Sequence, residues 1–98
     1  MSFFPIIQLL DWIRGENVTY SDAIIKRLND ICKERHLTTN KLATLAGLRQ
    51  STVRDLVIGK TKNPKLITLH KIATGLNMTV AELLDFKELN EYPLEEDE

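Results

Sequence analysis

Two groups of side chains have types and spacings suited to recognising another molecule. The first is the run Arg49-Gln50-Ser51-Thr52, with Arg54 and Asp55 one turn further on. A glutamine amide can pair bidentately with adenine, arginine can do so with guanine, and a carboxylate can accept from cytosine N4. Asp55 has a second use open to it, pairing with Arg54 or Arg49 and orienting the guanidinium. The second group is the loop Gly59-Lys60-Thr61-Lys62-Asn63-Pro64, followed by Lys65. Lysines so crowded suit a sugar-phosphate backbone, where contacts set register and salt-dependent affinity without sequence choice. The Thr38 and Thr39 hydroxyls, the backbone N–H groups beside them and Lys41 could meet a phosphate at a helix start.

Catalytic constellations are missing. No nucleophile–base–orienter set, glycine-rich phosphate loop or pair of carboxylates in an apolar run appears, and the spacing of Ser51 and His70 does not make them a catalytic pair. Cys32 and His36 are four apart and could touch on a helix, but a structural zinc site needs four ligands. No metal, no cofactor and no enzyme activity are therefore expected.

The elements that must hold the polar groups are short helices. Residues 38–46 predict one, with Thr38 or Thr39 as N-cap and Leu42, Ala43, Leu45 and Ala46 on its apolar side. Gly47 sits where a residue tolerant of positive φ ends it, and Leu48 follows as an apolar plug. Ala43 and Gly47 are small enough for a close helix crossing. A second helix over 50–58 turns Val53 and Leu56 inward and ends at Gly59. Two short helices joined by a tight turn have the layout of a helix-turn-helix, whose second helix lies in the DNA major groove.

Further helices surround this pair. One over about 21–35 buries Ile24, Leu28, Ile31 and Cys32, with Ile25 beside them and Lys26, Arg27, Lys33 and Arg35 mostly outside. Thr19-x-x-Asp22 resembles a capping box at its start, and Val18 and Tyr20 are expected to turn inward. A helix over about 65–76 points Leu66 or Ile67, Leu69, Ile72, Ala73 and Leu76 inward; Gly75 within it implies close packing or an early end. Asn77 suits a left-handed residue. Thr79-Val80-Ala81-Glu82 is a second capping box, opening a short helix with Val80, Leu83 and Leu84 buried and Phe86 closing the core.

The pattern Leu42-Ala43-x-x-x-Gly47-Leu48-x-x-x-x-Val53-x-x-Leu56-x-x-Gly59 resembles the phage repressor/Cro-type (XRE) helix-turn-helix family. The resemblance continues through Lys60-Thr61-Lys62-Asn63-Pro64, Leu69-x-x-Ile72-Ala73-x-x-Leu76-Asn77-Met78 and Leu83-Leu84, and covers roughly residues 21–86. It implies that Gln50, Ser51 and Asp55 point at base edges, flanked by Arg49 and Arg54, while Lys60, Lys62 and Lys65 grip the backbone. Three departures stand out. Family members often have glutamine where Thr39 sits, Arg49 replaces a small capping residue, and Ile58 replaces a polar residue common before the glycine.

The net charge of −1 conceals a segregation. Residues 21–80 hold eleven basic and four acidic side chains, whereas residues 81–98 hold eight acids and one lysine. Local basic density matters more for nucleic-acid binding than net charge. The single cysteine fits a reducing cytosol. No apolar run has the length of a membrane span, and no basic start with a small-residue cleavage site marks a secretory signal.

The expected fold is all-α: a compact five-helix repressor-like domain at 21–86, an apolar helical extension at 1–20 and an acidic tail at 87–98. In the extension, Pro5 fits a first helical turn and Ile6, Leu9, Leu10 and Ile13 follow helical spacing. It is expected to cover the core or to bind another chain. The tail is expected to be solvated, to dock through Leu89, Tyr92 and Leu94, or to set its acids in competition with DNA for the basic face. The expected function is sequence-specific binding of double-stranded DNA by a cytoplasmic transcriptional regulator, a repressor by preference. It is expected to act as a homodimer, joined first through the extension, on a palindromic operator. Two rival readings are an antitoxin that also binds a protein partner, and a protein-interaction module that keeps the helix-turn-helix as scaffold. Asp55 and Ile58 favour the module; the three lysines oppose it.

Overall fold

The computed structural model of the chain describes residues 19–94. The expected extension therefore lies outside the described residues except for its last two positions, as do the last four acids. The regular structure of the described residues is all helical: α1 Tyr20–Glu34, α2 Thr39–Ala46, α3 Gln50–Val57, α4 Leu66–Gly75, α5 Val80–Leu84 and α6 Lys87–Asn90. Helix α2 packs on α3 and α4, α4 on α5, and α1 on α3 and α6. Leu28, Leu42, Val53, Leu56, Ile72, Leu76 and Leu83 are fully enclosed where these helices meet. Each such side chain contributes about 1.5–3 kcal/mol through burial.

Helix starts follow side-chain chemistry. The Thr19 hydroxyl accepts from the Asp22 N–H at 3.1 Å while the Asp22 carboxylate accepts from the Thr19 N–H at 2.9 Å. Thr79 and Glu82 repeat the exchange at 3.0 and 2.8 Å. At α2 the Thr38 hydroxyl accepts from the Lys41 N–H at 3.0 Å, so Thr38 is the cap and Thr39 the first helical residue.

Helix ends follow one rule four times. His36, Gly47, Gly59 and Asn77 have φ of 57°, 69°, 86° and 61°. In each case the next residue's N–H reaches back to a carbonyl five residues earlier: Leu37 to Cys32 at 2.7 Å, Leu48 to Ala43 at 2.9 Å, Lys60 to Asp55 at 2.8 Å and Met78 to Ala73 at 2.8 Å. This closure satisfies carbonyls that the helix leaves open. Leu37, Leu48 and Met78 then fold onto the core.

Ala43 is fully enclosed on α2, but Gly47 is not a point of close crossing. Open space surrounds a Cβ built on Gly47, so its glycine serves the left-handed turn alone. A Cβ on Gly75 would lie 2.8 Å from the Ala46 nitrogen and the Leu45 carbonyl, so the ends of α2 and α4 touch backbone to backbone there. Several apolar positions also differ from expectation. Leu45 is 43 % exposed because Leu42, Ala43 and Ala46 define the buried arc of α2 and Leu45 falls outside it. Leu66 and Ile67 are both exposed, at 64 % and 58 %. Ile67 lies across the helix from the Leu69–Ile72–Ala73 stripe, and Leu66 is the first residue of α4, where no neighbour covers it. Tyr20 faces out and meets Tyr92 edge-on, with ring centroids 5.2 Å apart. Phe86 is half-buried, with the Arg27 guanidinium 5.3 Å above its ring. Beyond it, α6 packs on α1, and Leu89 joins the rim of the core.

Gly75→Ala should lower stability by about 1–3 kcal/mol, because neither backbone can yield to the added carbon. That sign is opposite to the helix-propensity gain of about 1 kcal/mol. Gly47→Ala should cost about 1–2 kcal/mol through backbone conformation alone. Urea unfolding of the two variants checks both.

Candidate nucleic-acid interface

Helix α3 is short, and its two sides are cleanly divided. Val53 and Leu56 are buried at 0 % and 1 % exposure. Gln50, Ser51, Thr52 and Arg54 face solvent, and Asp55 is half-buried at the margin. Arg49 is the N-cap, in extended backbone with φ −67° and ψ 144°, and its side chain makes no capping hydrogen bond. The guanidinium is thus not spent on the helix start, where a small capping residue would have been. The Gln50 and Ser51 N–H groups of α3 have no intrahelical acceptor either, which leaves a positive helix end beside these side chains.

The lysine loop is anchored to the far end of the same helix. The Asp55 carbonyl accepts from the Lys60 N–H at 2.8 Å and from the Thr61 N–H at 3.1 Å. Lys60, Lys62 and Lys65 are exposed. Lys65 is the N-cap residue of α4 in extended backbone, again without a side-chain cap bond. At α2, Lys41 is exposed and Thr39 half-buried. The Thr38 oxygen already accepts the Lys41 N–H, so its hydroxyl has a proton left to donate to an anion.

Among the described residues, Arg49, Arg54, Lys41, Lys60, Lys62 and Lys65 form no ion pair, and neither does Asp55. The pairing of Asp55 with Arg54 or Arg49, one of two uses open to it, is therefore not formed in the free chain. Basic residues of α1 and at its C-terminal end behave differently. Lys26 pairs with Asp30 at 2.6 Å. Arg27 donates to the Leu83 and Glu82 carbonyls, each at 3.0 Å, and Arg35 donates to the Leu76 carbonyl. Burial pushes the Cys32 thiol above its ordinary pKa, with nearby Arg35 opposing in part. No helix of the described residues is long and apolar enough to cross a membrane.

The model of the Cro/C1-type HTH (helix-turn-helix) DNA-binding domain matches residues 27–88. The chain belongs to this family. It is a DNA-binding regulator of transcription of the helix-turn-helix class, with α2 and α3 as the motif. It is also similar to a solved structure, that of the prophage Lp1 protein 11, at 35 % sequence identity and a TM-score of 0.66. That likeness covers 76 % of this chain and 97 % of the other. None of the curated proteins matches the chain. The family match takes in α2, α3, the lysine loop, α4 and α5 whole and ends inside α6.

If the loop binds phosphate as a Cro/C1-type domain would with this geometry, Lys62→Ala weakens binding to every duplex alike. The slope of log affinity against log salt should fall by about one. Titrating one duplex at several salt concentrations measures it.

Proposed function

We propose that this chain is a sequence-specific repressor whose helix α3 reads base edges in the major groove. The observation that carries the reading is that Arg49, Gln50, Ser51 and Arg54 stand exposed on one short helix with no ion pair or capping bond among the described residues. Unspent donors in such a row cost nothing intramolecular when they turn to a base. Gln50 suits adenine, Arg49 and Arg54 suit guanine, and Asp55 accepts from cytosine N4. Lys60, Lys62 and Lys65, with Thr38, Thr39 and Lys41 on the other flank, hold the phosphates on either side and set the register. Repression needs only that the occupied site be closed to competitors, so a DNA-binding domain suffices for it.

The chain acts as a homodimer on this reading. Two copies of α3 held about 34 Å apart match successive major grooves of a palindromic site. Residues 1–20 supply the contact on this reading, because the apolar side chains Phe3, Phe4, Ile6, Leu9, Leu10 and Ile13 gain by burial against a second copy. A single-chain mass by light scattering at tens of micromolar would remove this part of the proposal and leave base reading untouched.

Selection from a random duplex pool at two salt concentrations tests the function. An inverted repeat should be enriched. Salt-sensitive binding without enrichment would leave the lysine loop and remove base reading; binding at neither salt would favour a protein-interaction module. With the preferred site in hand, Gln50→Ala should cost about 1–3 kcal/mol and relax the preference at one position of the half-site. An unchanged preferred sequence would overturn the role given to Gln50.

A further inference from the structure

The reading face of α3 carries an apolar member that hydrogen bonding does not account for. Helix residues advance by roughly 100° each, so Arg54, Ile58, Ser51 and Asp55 fall, in that angular order, within a roughly 100° arc opposite buried Val53 and Leu56. Ile58 still belongs to the helical cylinder. Its N–H donates to the Arg54 carbonyl at 3.0 Å, and its backbone has φ −90° and ψ 0°. The chain leaves the axis only at Gly59, with φ 86°. The Ile58 side chain is 66 % exposed, more than Leu45, Leu66 or Ile67, and it takes no part in the core, whereas its neighbour Val57 packs against it.

We infer that Ile58 extends the reading face and packs on the C5-methyl group of a pyrimidine in the major groove. The inference rests on the placing of α3 proposed above. An isoleucine offers a phosphate no hydrogen bond, so at this position it does not replace a polar backbone contact. Its burial is favourable only against another apolar group. The major groove presents one such group among unmodified bases, the methyl of thymine. Methylated cytosine presents the same methyl on the same ring carbon. Three residues of helix separate Asp55 from Ile58, a rise of about 4.5 Å. That distance is near one base step of about 3.4 Å, so the methyl sits on the pair next to the one facing Asp55. The continuous stripe from Ser51 through Asp55 to Ile58 would thus read a polar edge and then an apolar one.

The test removes the methyl and nothing else. In the selected duplex, each thymine is replaced in turn by deoxyuridine, and the wild-type chain and Ile58→Ala are titrated against the set. At one position, loss of the methyl should weaken wild-type binding about fourfold, as expected for one buried methyl group. Ile58→Ala should be insensitive there and bind the parent duplex about as weakly as the wild type binds the deoxyuridine form. The side chain is exposed, so the variant should fold, and an unchanged thermal melt verifies this. Cytosine at that position should bind more tightly when methylated at C5, again only for the wild type. Selection from pools with and without 5-methylcytosine then tells which base the chain prefers. If Ile58→Ala keeps the wild-type sensitivity, or if the wild type ignores every methyl, the inference fails while base reading by Gln50 stands. A pool that enriches no sequence overturns both.

Discussion

The structure depends on a backbone constraint repeated four times. A helix that stops must satisfy its last carbonyls and send the chain elsewhere, and one residue at positive φ does both. His36, Gly47, Gly59 and Asn77 supply it at the ends of α1, α2, α3 and α4 in turn. After three of these turns the following residue, Leu37, Leu48 or Met78, is carried inward onto the core. After the turn at Gly59 the following residue is Lys60, which is exposed. One closure therefore serves two ends: apolar plugs where a helix must join the core, and a lysine where the chain leaves α3. The α2–α3 turn is of the first kind, so the angle of α3 is fixed by the packing of Leu48 on the core as well as by the left-handed glycine.

Long-range contacts then fix how the turns stack. Gly75 lets α4 meet the end of α2 at backbone distance, which places α2 and, through it, α3. Arg27 of α1 and Arg35, the residue just past its end, occupy open carbonyls: Arg27 those of Glu82 and Leu83 in α5, Arg35 that of Leu76 after α4. Charge-assisted bonds of this kind are stronger than neutral ones, and they tie α1 to elements about 40 to 56 residues away in sequence. They also divide the basic residues by use. The eleven between 21 and 80 look alike in a charge count, yet Lys26, Arg27 and Arg35 have partners within the fold. Lys41, Arg49, Arg54, Lys60, Lys62 and Lys65, which form no ion pair among the described residues, gather on α2, at α3 and in the loop.

What was legible in the sequence was what a few consecutive residues decide. Thr19 with Asp22 and Thr79 with Glu82 announce their helices because a capping box closes within four residues. Gly47 and Asn77 announce left-handed turns by residue type. His36 in the same conformation does not, since histidine there carries a steric cost that the closure and the packing of Leu37 on the core offset. Gly75 was ambiguous for the same reason: its contact is with α2, nearly thirty residues earlier. Apolar type suggests burial for Leu45 and for one of Leu66 and Ile67, but burial depends on whether a neighbour stands opposite. The candidate site could be read as a set of residue types from the polar run and the lysines. That Arg49 is uncapped and Asp55 unpaired could not, because both are facts about which partners the fold leaves within reach.

On the proposed reading, Asp55 and Ile58 shift the balance between affinity and specificity in the same direction. A carboxylate near phosphates lowers attraction for any duplex, and an isoleucine in place of a polar residue gives up a backbone contact. Both losses fall on all sequences, since phosphate contacts carry no sequence information. Both gains fall on particular bases, cytosine N4 for the one and a C5-methyl for the other. The right site is therefore favoured over the rest by more than the absolute affinity suggests. That ratio decides occupancy when non-specific sites are in vast excess. Such a helix can function only if other residues provide enough general attraction for the encounter. Lys60, Lys62 and Lys65 do this from a loop pinned to the Asp55 carbonyl. The turn that ends the reading helix thus joins the residue that discriminates to the residues that hold on.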